Sequence, residues 1–346
     1  MLKTYLLFLL LGGIILLSGC TTYYHGAPSN HFDGKRFFMP QNPLPDKNIF
    51  DVLKWRLTST RATWPTTLPT PKTDHPPLRV MGDEMRISYV GHASFLVQTY
   101  GLNILLDPVW SDRASPVSFA GPKRIIAPGL PFDKLPRIDV VYISHNHYDH
   151  LDEKTLIALE QKYQPRFIIP LGNDAILSSF LPKDAKIESY DWGDVIPLQN
   201  NLTLTLAPMR HWSARGLFDR NKALWASAIL KTPSRSLIFI GDTGYGDGTI
   251  FKDIAKQHGA FDVAIIPIGA YEPRWFMKDA HVNPSESLLI MEDLNAKTAI
   301  AHHFGVFQLT DEAHDQPVID LKAALQQKPH LQNRFHVLNV GEARSY

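Results

Sequence analysis

The segment Val140-Val141-Tyr142-Ile143-Ser144-His145-Asn146-His147-Tyr148-Asp149-His150-Leu151-Asp152 narrows the possible folds more than any other part of the chain. An apolar strand runs straight into H-x-H-x-D-H. In extended backbone His145 and His147 point to the same side, so both imidazoles reach one ion. Asp149 and His150 follow as the chain turns toward a helix, and can be aimed at a second ion nearby. Neutral imidazole and carboxylate suit zinc, and also iron or manganese. Such a site needs more ligands than one loop supplies, and each must come from the end of another strand.

Three further places meet that condition. His211 follows an apolar run at 202–206, Asp242 ends Ser236-Leu237-Ile238-Phe239-Ile240-Gly241, and His302 and His303 end Thr298-Ala299-Ile300-Ala301. Alone, each is more often a cap or a packing residue than a ligand. Taken with the primary motif they complete two ligand sets. One is His145, His147 and His211; the other is Asp149, His150 and one of the two terminal histidines, with Asp242 bridging.

The pattern around these residues is of short apolar runs separated by turns. Strands are expected at 85–90, 93–98, 102–106, 139–144, 166–170, 202–206, 224–230, 236–240, 262–267, 298–302 and 335–339. Helices are expected at 152–163, 172–181, 249–258, 284–295 and 317–327, the fourth opened by Asn283-Pro284. Strands dominate the first half and alternate with helices later, which implies two mixed β-sheets sandwiched between helices.

The chain divides into three parts. Residues 1–19 carry Lys3, an apolar stretch from Tyr5 to Leu17 and the small pair Ser18-Gly19, which reads as an export signal. Cys20, the only cysteine in the chain, follows at once. Leu17-Ser18-Gly19-Cys20 resembles the lipobox of bacterial lipoproteins, and the resemblance implies lipidation of Cys20 and a membrane tether. Thr21 in the next position favours sorting to the outer membrane, facing the periplasm. Residues 20–80 are expected to be a tether and proline-rich arm. Nine of the chain's 26 prolines fall in 21–80, a density that argues against regular helix or central strand. Its aromatic residues, among them Phe32, Phe37, Trp55 and Trp64, predict that parts of it pack on the body. The folded domain that carries the metal-ligand pattern is expected at 81–346. Lys and Arg total 35 against 34 acidic residues, a net charge of +1, so no global field recruits nucleic acid.

The segments GHASFLV (91–97), DPVWSDRASPVSFAGPKR (107–124), SHNHYDHLD (144–152), NKALWAS (221–227), GDTGYG (241–246), IPIGAYEPRWFMKDAHVNPSE (266–286), HFGVF (303–307) and GEAR (341–344) carry a family likeness. They resemble metallo-β-lactamase-fold hydrolases, and within that group the N-acyl-phosphatidylethanolamine-hydrolysing phospholipases D. The resemblance implies a four-layer αββα sandwich with two metals at the sheet edge. It selects His303 over His302, because the family's ligand stands in an H-(aromatic)-G context. It makes His92 a structural partner of the ligands, and it places His281 in a segment lining the cleft near the leaving group.

The implied chemistry is phosphodiester hydrolysis of an N-acyl-phosphatidylethanolamine or related glycerophospholipid to phosphatidic acid and an N-acylethanolamine. A metal-bridging hydroxide would attack phosphorus, with two divalent ions (most simply zinc) and Asp149, Asp242 and His281 as catalytic groups. Arg215, Lys123 and Arg124 are candidate phosphate or headgroup contacts, and Tyr271 and Trp275 a greasy lip for acyl chains. Asp152 is either the outer partner of a ligand imidazole or a helix cap. A homodimer is compatible with the sequence. Two rival readings are a lactonase or esterase acting on a small soluble substrate, and a lipid-binding surface lipoprotein with a vestigial metal site.

Overall fold

The computed structural model describes residues 23–346 apart from positions 42 and 46; the signal segment and Cys20 lie outside the described residues. Two seven-stranded sheets form the centre. The first holds β1 (Arg86–Gly91), β2 (Ser94–Thr99), β3 (Leu102–Leu106), β4 (Val140–Tyr142), β5 (Arg166–Pro170), β6 (Lys186–Tyr190) and β14 (Ala343–Ser345), in the order β14-β1-β2-β3-β4-β5-β6. The second holds β7 (Val195–Pro197), β8 (Thr203–Ala207), β9 (Ser227–Lys231), β10 (Ser236–Phe239), β11 (Val263–Pro267), β12 (Thr298–His302) and β13 (Phe335–His336), in the order β13-β12-β11-β10-β9-β8-β7. Each sheet changes from antiparallel to parallel pairing midway, at β3 in the first and β10 in the second.

Seven helices flank the sheets among the described residues: α1 (Ile49–Thr58), α2 (Glu153–Tyr163), α3 (Asn173–Leu177), α4 (Thr249–His258), α5 (Arg274–Met277), α6 (Pro284–Asp293) and α7 (Gln316–Gln327). Tyr89, Phe95, Ile104, Tyr142, Leu204, Phe239 and Ile265 interleave between the two sheets. Leu156, Leu159 and Leu177 of α2 and α3 close the outer face of the first sheet. Phe251, Leu288, Met291 and Leu321 of α4, α6 and α7 close that of the second. The result is helix, sheet, sheet, helix, the four-layer sandwich expected. Burial of the apolar strands drives it, at roughly 25 cal/mol per Å².

Strand directions then position the site. β1, β3 and β4 run the same way in one sheet, as do β8, β10, β11 and β12 in the other. Their carboxyl ends meet at one edge, the usual place for a ligand site in open α/β sheets.

Three expectations need correction. The arm contains a regular helix, α1, because the nine prolines are unevenly spread and none lies between Pro45 and Pro65. Asn48 caps α1 in a reciprocal capping box with Asp51. The strands β6, β7 and β14 were not anticipated: β6 is a half-exposed edge, and the other two span three residues each. The helix expected over 172–181 stops at Leu177.

Packing of the arm is as anticipated. Phe32 and Phe37 are fully buried, their ring centroids 4.6 Å apart, in a cluster with Leu224 and Trp225. No helix among the described residues is long and apolar enough to cross a membrane.

Candidate metal centre

The loop after β4 carries His145, His147, Asp149 and His150; His92, Asp107, His211, Asp242 and His303 arrive from five other strand ends, and His281 from the turn after α5. His145 Nε2 lies 2.9 Å from His147 Nδ1, which lies 3.2 Å from His211 Nε2. Three ring nitrogens thus converge on one point. Around it, His303 Nε2 lies 3.1 Å from Asp149 Oδ2 and 3.1 Å from Asp242 Oδ1. His150 Nε2 lies 3.4 Å from Asp149 Oδ2 and 3.3 Å from Asp242 Oδ2. Asp242 stands between the two sets, its Oδ2 3.8 Å from both His145 Nε2 and His211 Nε2.

These spacings fit a metal. A tetrahedral ion with ligands at about 2.1 Å sets neighbouring ligand atoms roughly 3.4 Å apart. Four-residue donor groups form in two places: His145, His147, His211 and Asp242, then His92, Asp149, His150 and His303. His150 Nε2 and Asp242 Oδ1 are buried without a hydrogen-bond partner, which a buried polar atom avoids unless something else satisfies it.

Charge leads to the same answer. Burial alone would raise the carboxyls of Asp149 and Asp242, but His150 and His303 outweigh it and hold both well below the ordinary range. In return those carboxylates raise His303 to about 9 and His150 well above its ordinary value, against the burial of both rings. The carboxylates require positive charge, and protons on His150 and His303 supply it where cations would. Burial pushes His147 and His211 down to about 3, and His145 well below its ordinary value, so these three stand neutral and ready to ligate.

The supporting shell ties the ligands to the fold. Asp107, at the end of β3, sets its carboxylate 2.6 Å from His150 Nδ1 and accepts from the Ser144 amide and hydroxyl, each at 2.6 Å. His211 Nδ1 lies 3.0 Å from the Ala280 carbonyl. His92 Nε2 lies 2.9 Å from Asp149 Oδ2, and the His92 carbonyl accepts from the His303 amide. His92, Asp107 and His303 all take left-handed backbone, a conformation that costs about 1–3 kcal/mol and persists where surroundings impose it. Two glycines permit the close approach of the strand ends. A Cβ on Gly241 would stand 2.6 Å from Ser144 Oγ, and one on Gly269 would stand 2.1 Å from the His303 carbonyl oxygen.

The seven ligand candidates therefore come together, and His302 does not join them. Its Nε2 lies 2.6 Å from the Ile240 carbonyl. His281 sits beside both sets, Nδ1 4.0 Å from Asp242 Oδ2. Asp107 was missed: it ends an apolar strand much as Asp242 does, and that signal was present but unread.

The expected substrate contacts fare less well. Arg215 donates to the Asn146 and Leu151 carbonyls, both at 3.0 Å, and lies 4.0 Å from the Tyr148 ring. It braces the ligand loop. Arg124 is buried, donates to the Val109 and Ser111 carbonyls, and stacks on Phe307. Lys123 is exposed in a bridge with Arg113, on no ligand set. Tyr271 is buried and donates to Asp320 at 2.5 Å, so it forms no lip; Trp275 is 43% exposed and can. Asp152 contacts no ligand imidazole and makes no side-chain cap; it accepts from the amides of Trp110 and Ser111 and the hydroxyls of Ser111 and Thr155.

Fold and site together define a metal-dependent hydrolase of the beta-lactamase superfamily, whose domain description matches residues 102–304. N-acyl-phosphatidylethanolamine-hydrolyzing phospholipase D 1 of Caenorhabditis elegans is 36% identical over 264 residues, covering 74% of this chain and 74% of its own. The chain belongs to the family of N-acyl-phosphatidylethanolamine-hydrolysing phospholipases D. Outer membrane protein RomA of Klebsiella pneumoniae is 38% identical over 110 residues, 32% of this chain and 80% of its own. Among solved structures, an isothiocyanate hydrolase from Delia radicum gut bacteria superposes with a TM-score of 0.60 at 18% identity, covering 76% of this chain and 99% of its own. That likeness is one of fold.

Proposed function

We propose that the protein hydrolyses the phosphodiester of an N-acyl-phosphatidylethanolamine or a related glycerophospholipid, yielding phosphatidic acid and an N-acylethanolamine. The observation that carries the proposal is the pair of adjoining donor sets, with Asp242 a member of one and 3.1 and 3.3 Å from His303 and His150 of the other, in a chain related to the nematode phospholipase over most of its length. His145, His147 and His211 would hold one divalent ion and Asp149, His150 and His303 the other, with Asp242 common to both. Zinc suits the donors best. Bound ions would supply Lewis acidity to the phosphate oxygens and bring the pKa of water toward 7.

The protein's own groups supply the rest. Water adds across the bond between phosphorus and the ethanolamine oxygen: a new P–O bond forms, the old one breaks, and the departing oxygen takes up a proton. His281 is placed to hold that proton. Its Nδ1 has no hydrogen-bond partner on the protein and lies 4.0 Å from Asp242 Oδ2, and its ring, kept neutral by burial, can take a proton on one nitrogen and give one up from the other. Asp107, Ser144 and His92 keep the ligand side chains in position. A lipidated Cys20 would hold the enzyme at its substrate's surface, and an exported, membrane-attached location agrees with the name of the Klebsiella relative.

The test is elemental analysis of purified protein together with product analysis on mixed vesicles, a short-chain phosphodiester and a lactone. About two metal ions per chain with release of N-acylethanolamine is expected. Lactone turnover without lipid cleavage, or fewer than one ion per chain, overturns the proposal.

A further inference from the structure

We propose that the rim of the metal-site cleft formed by the loop after His211, the segment 115–119 and helix α1 is the surface on which the protein lies against its bilayer. The inference rests on the reading of Cys20 as a lipid attachment point, and it adds an orientation that the reading lacks.

The position of the first described residue sets the geometry. Tyr23 donates its hydroxyl to Asp219 Oδ2 at 3.1 Å, and the same carboxylate accepts from the amides of Arg215 and Gly216 at 3.0 and 2.8 Å. The chain therefore enters the body at the cleft loop. Cys20 lies three residues ahead of Tyr23, and three residues reach about 11 Å at most. A lipid on Cys20 holds the bilayer within that distance of the Tyr23 backbone, whose side chain reaches Asp219, and so on the side of the molecule that carries the cleft loop.

The surface around that point is suited to a bilayer. Leu217, in the loop closed by Asp219, is 77% exposed. Arg215 also lines a cavity of about 580 Å³ whose opposite wall is residues 111–118, and Phe119 beyond that wall is 81% exposed. In the other direction the rim continues through Trp212, whose ring lies 4.2 Å from the Arg220 guanidinium, to Lys47, which bonds the Phe276 carbonyl and lies 3.5 Å from Asp279. Lys47 precedes α1. That helix sends Trp55 inward to Asp311 and Phe276, and leaves Phe50 (75% exposed), Leu53 and Leu57 (84% exposed) outside.

Spacing of three and four residues makes those side chains one stripe. Lys54 and Arg56 are exposed between them. A short helix with an apolar stripe among cations fits an anionic lipid interface, and isolated exposed apolar residues need no such partner whereas a patch does. The cations favour a bilayer over a second copy of the chain, which would bring Lys54 and Arg56 against their own kind.

The test uses the mature lipoprotein in vesicles containing anionic phospholipid. Lipidation blocks its one native thiol, so Leu57→Cys, Phe119→Cys and Leu217→Cys each add a single labelling site. Met81→Cys, beside the β2–β3 turn at the opposite sheet edge, is an apolar, exposed control. Nitroxides at 57, 119 and 217 should be relaxed several-fold more by oxygen than by an aqueous nickel chelate, with the ratio reversed at 81. Equal ratios at all four positions overturn the proposal, as does protection at 57 and 217 without vesicles accompanied by self-association in sedimentation. Leu57→Asp, Phe119→Asp and Leu217→Asp combined should lower turnover of vesicle substrate at least tenfold and leave a soluble short-chain diester unchanged. A parent that cleaves no lipid yet shows the expected label depths fails as a phospholipase and retains the surface.

Discussion

His150 Nδ1 rests 2.6 Å from Asp107 Oδ2, and that same carboxylate receives the amide and hydroxyl of Ser144. One buried carboxylate thus aims two neighbouring ligands, since Ser144 Oγ also lies 2.9 Å from His145 Nδ1. Asp107→Asn preserves the shape and removes the charge. Metal affinity should fall about 10- to 100-fold, measured by chelator competition. Far-ultraviolet circular dichroism should stay unchanged. Undiminished affinity would remove Asp107 from the site's support.

The two adjacent histidines at the end of β12 should behave differently. His303→Ala removes a ligand facing both Asp149 and Asp242, and should lower metal content by about one ion per chain. His302→Ala removes the partner of the buried Ile240 carbonyl. It should keep its metal and lose about 1–3 kcal/mol of stability. Elemental analysis and urea unfolding of both variants check the pair, and equal metal loss in the two would reverse the assignment.

The ligands were legible because each ends an apolar strand, and two packed sheets with co-directional strands must bring such ends to one edge. Asp107 carries the same sign as Asp242, an aspartate after an apolar run. Sequence alone does not tell a carboxylate that binds from one that braces, since the difference lies in which strand neighbours which. The basic residues show the converse. Arg124 and Arg215 look like anion contacts in one dimension, and only the fold reveals the carbonyls that occupy them. Helix α1 was hidden by counting prolines across the arm; the interval between Pro45 and Pro65 held the capping pair Asn48 and Asp51.

Stability of the metal-free protein should peak near neutral pH. Burial holds His147, His211 and His281 down to about 3, against 6.5 when unexposed to the fold. Below 6.5 the unfolded chain binds protons that the folded chain refuses, so stability falls with pH. Asp149 and Asp242, held low in the fold, add to that loss as pH drops through the carboxylate range. His303 works oppositely. Asp242 and Asp149 outweigh its burial and raise it to about 9, so its contribution is complete below 6.5 and disappears as pH climbs through 9. Urea midpoints in chelator at pH 5, 7 and 9.5 should be highest at 7. A midpoint that keeps rising to 9.5 would contradict the ion pairing of His303.

The arm before the catalytic domain should prove to be two materials. Phe37 is 1% exposed, packs on Phe32 and Tyr24, and donates its amide to the Asn221 carbonyl at 2.7 Å. His31 beside it stacks on Trp192 and lies 2.7 Å from Asp191. Phe37→Ala opens a cavity against the body and should cost about 3–5 kcal/mol. Phe50 lies in the same arm but faces outward, and Phe50→Ala should change stability by no more than about 0.5 kcal/mol. Urea unfolding of the two variants decides the matter. A small loss for Phe37→Ala would mean that the domain is complete without its N-terminal wrap, whereas a large one makes residues 29–39 part of the core despite their distance from it in the chain.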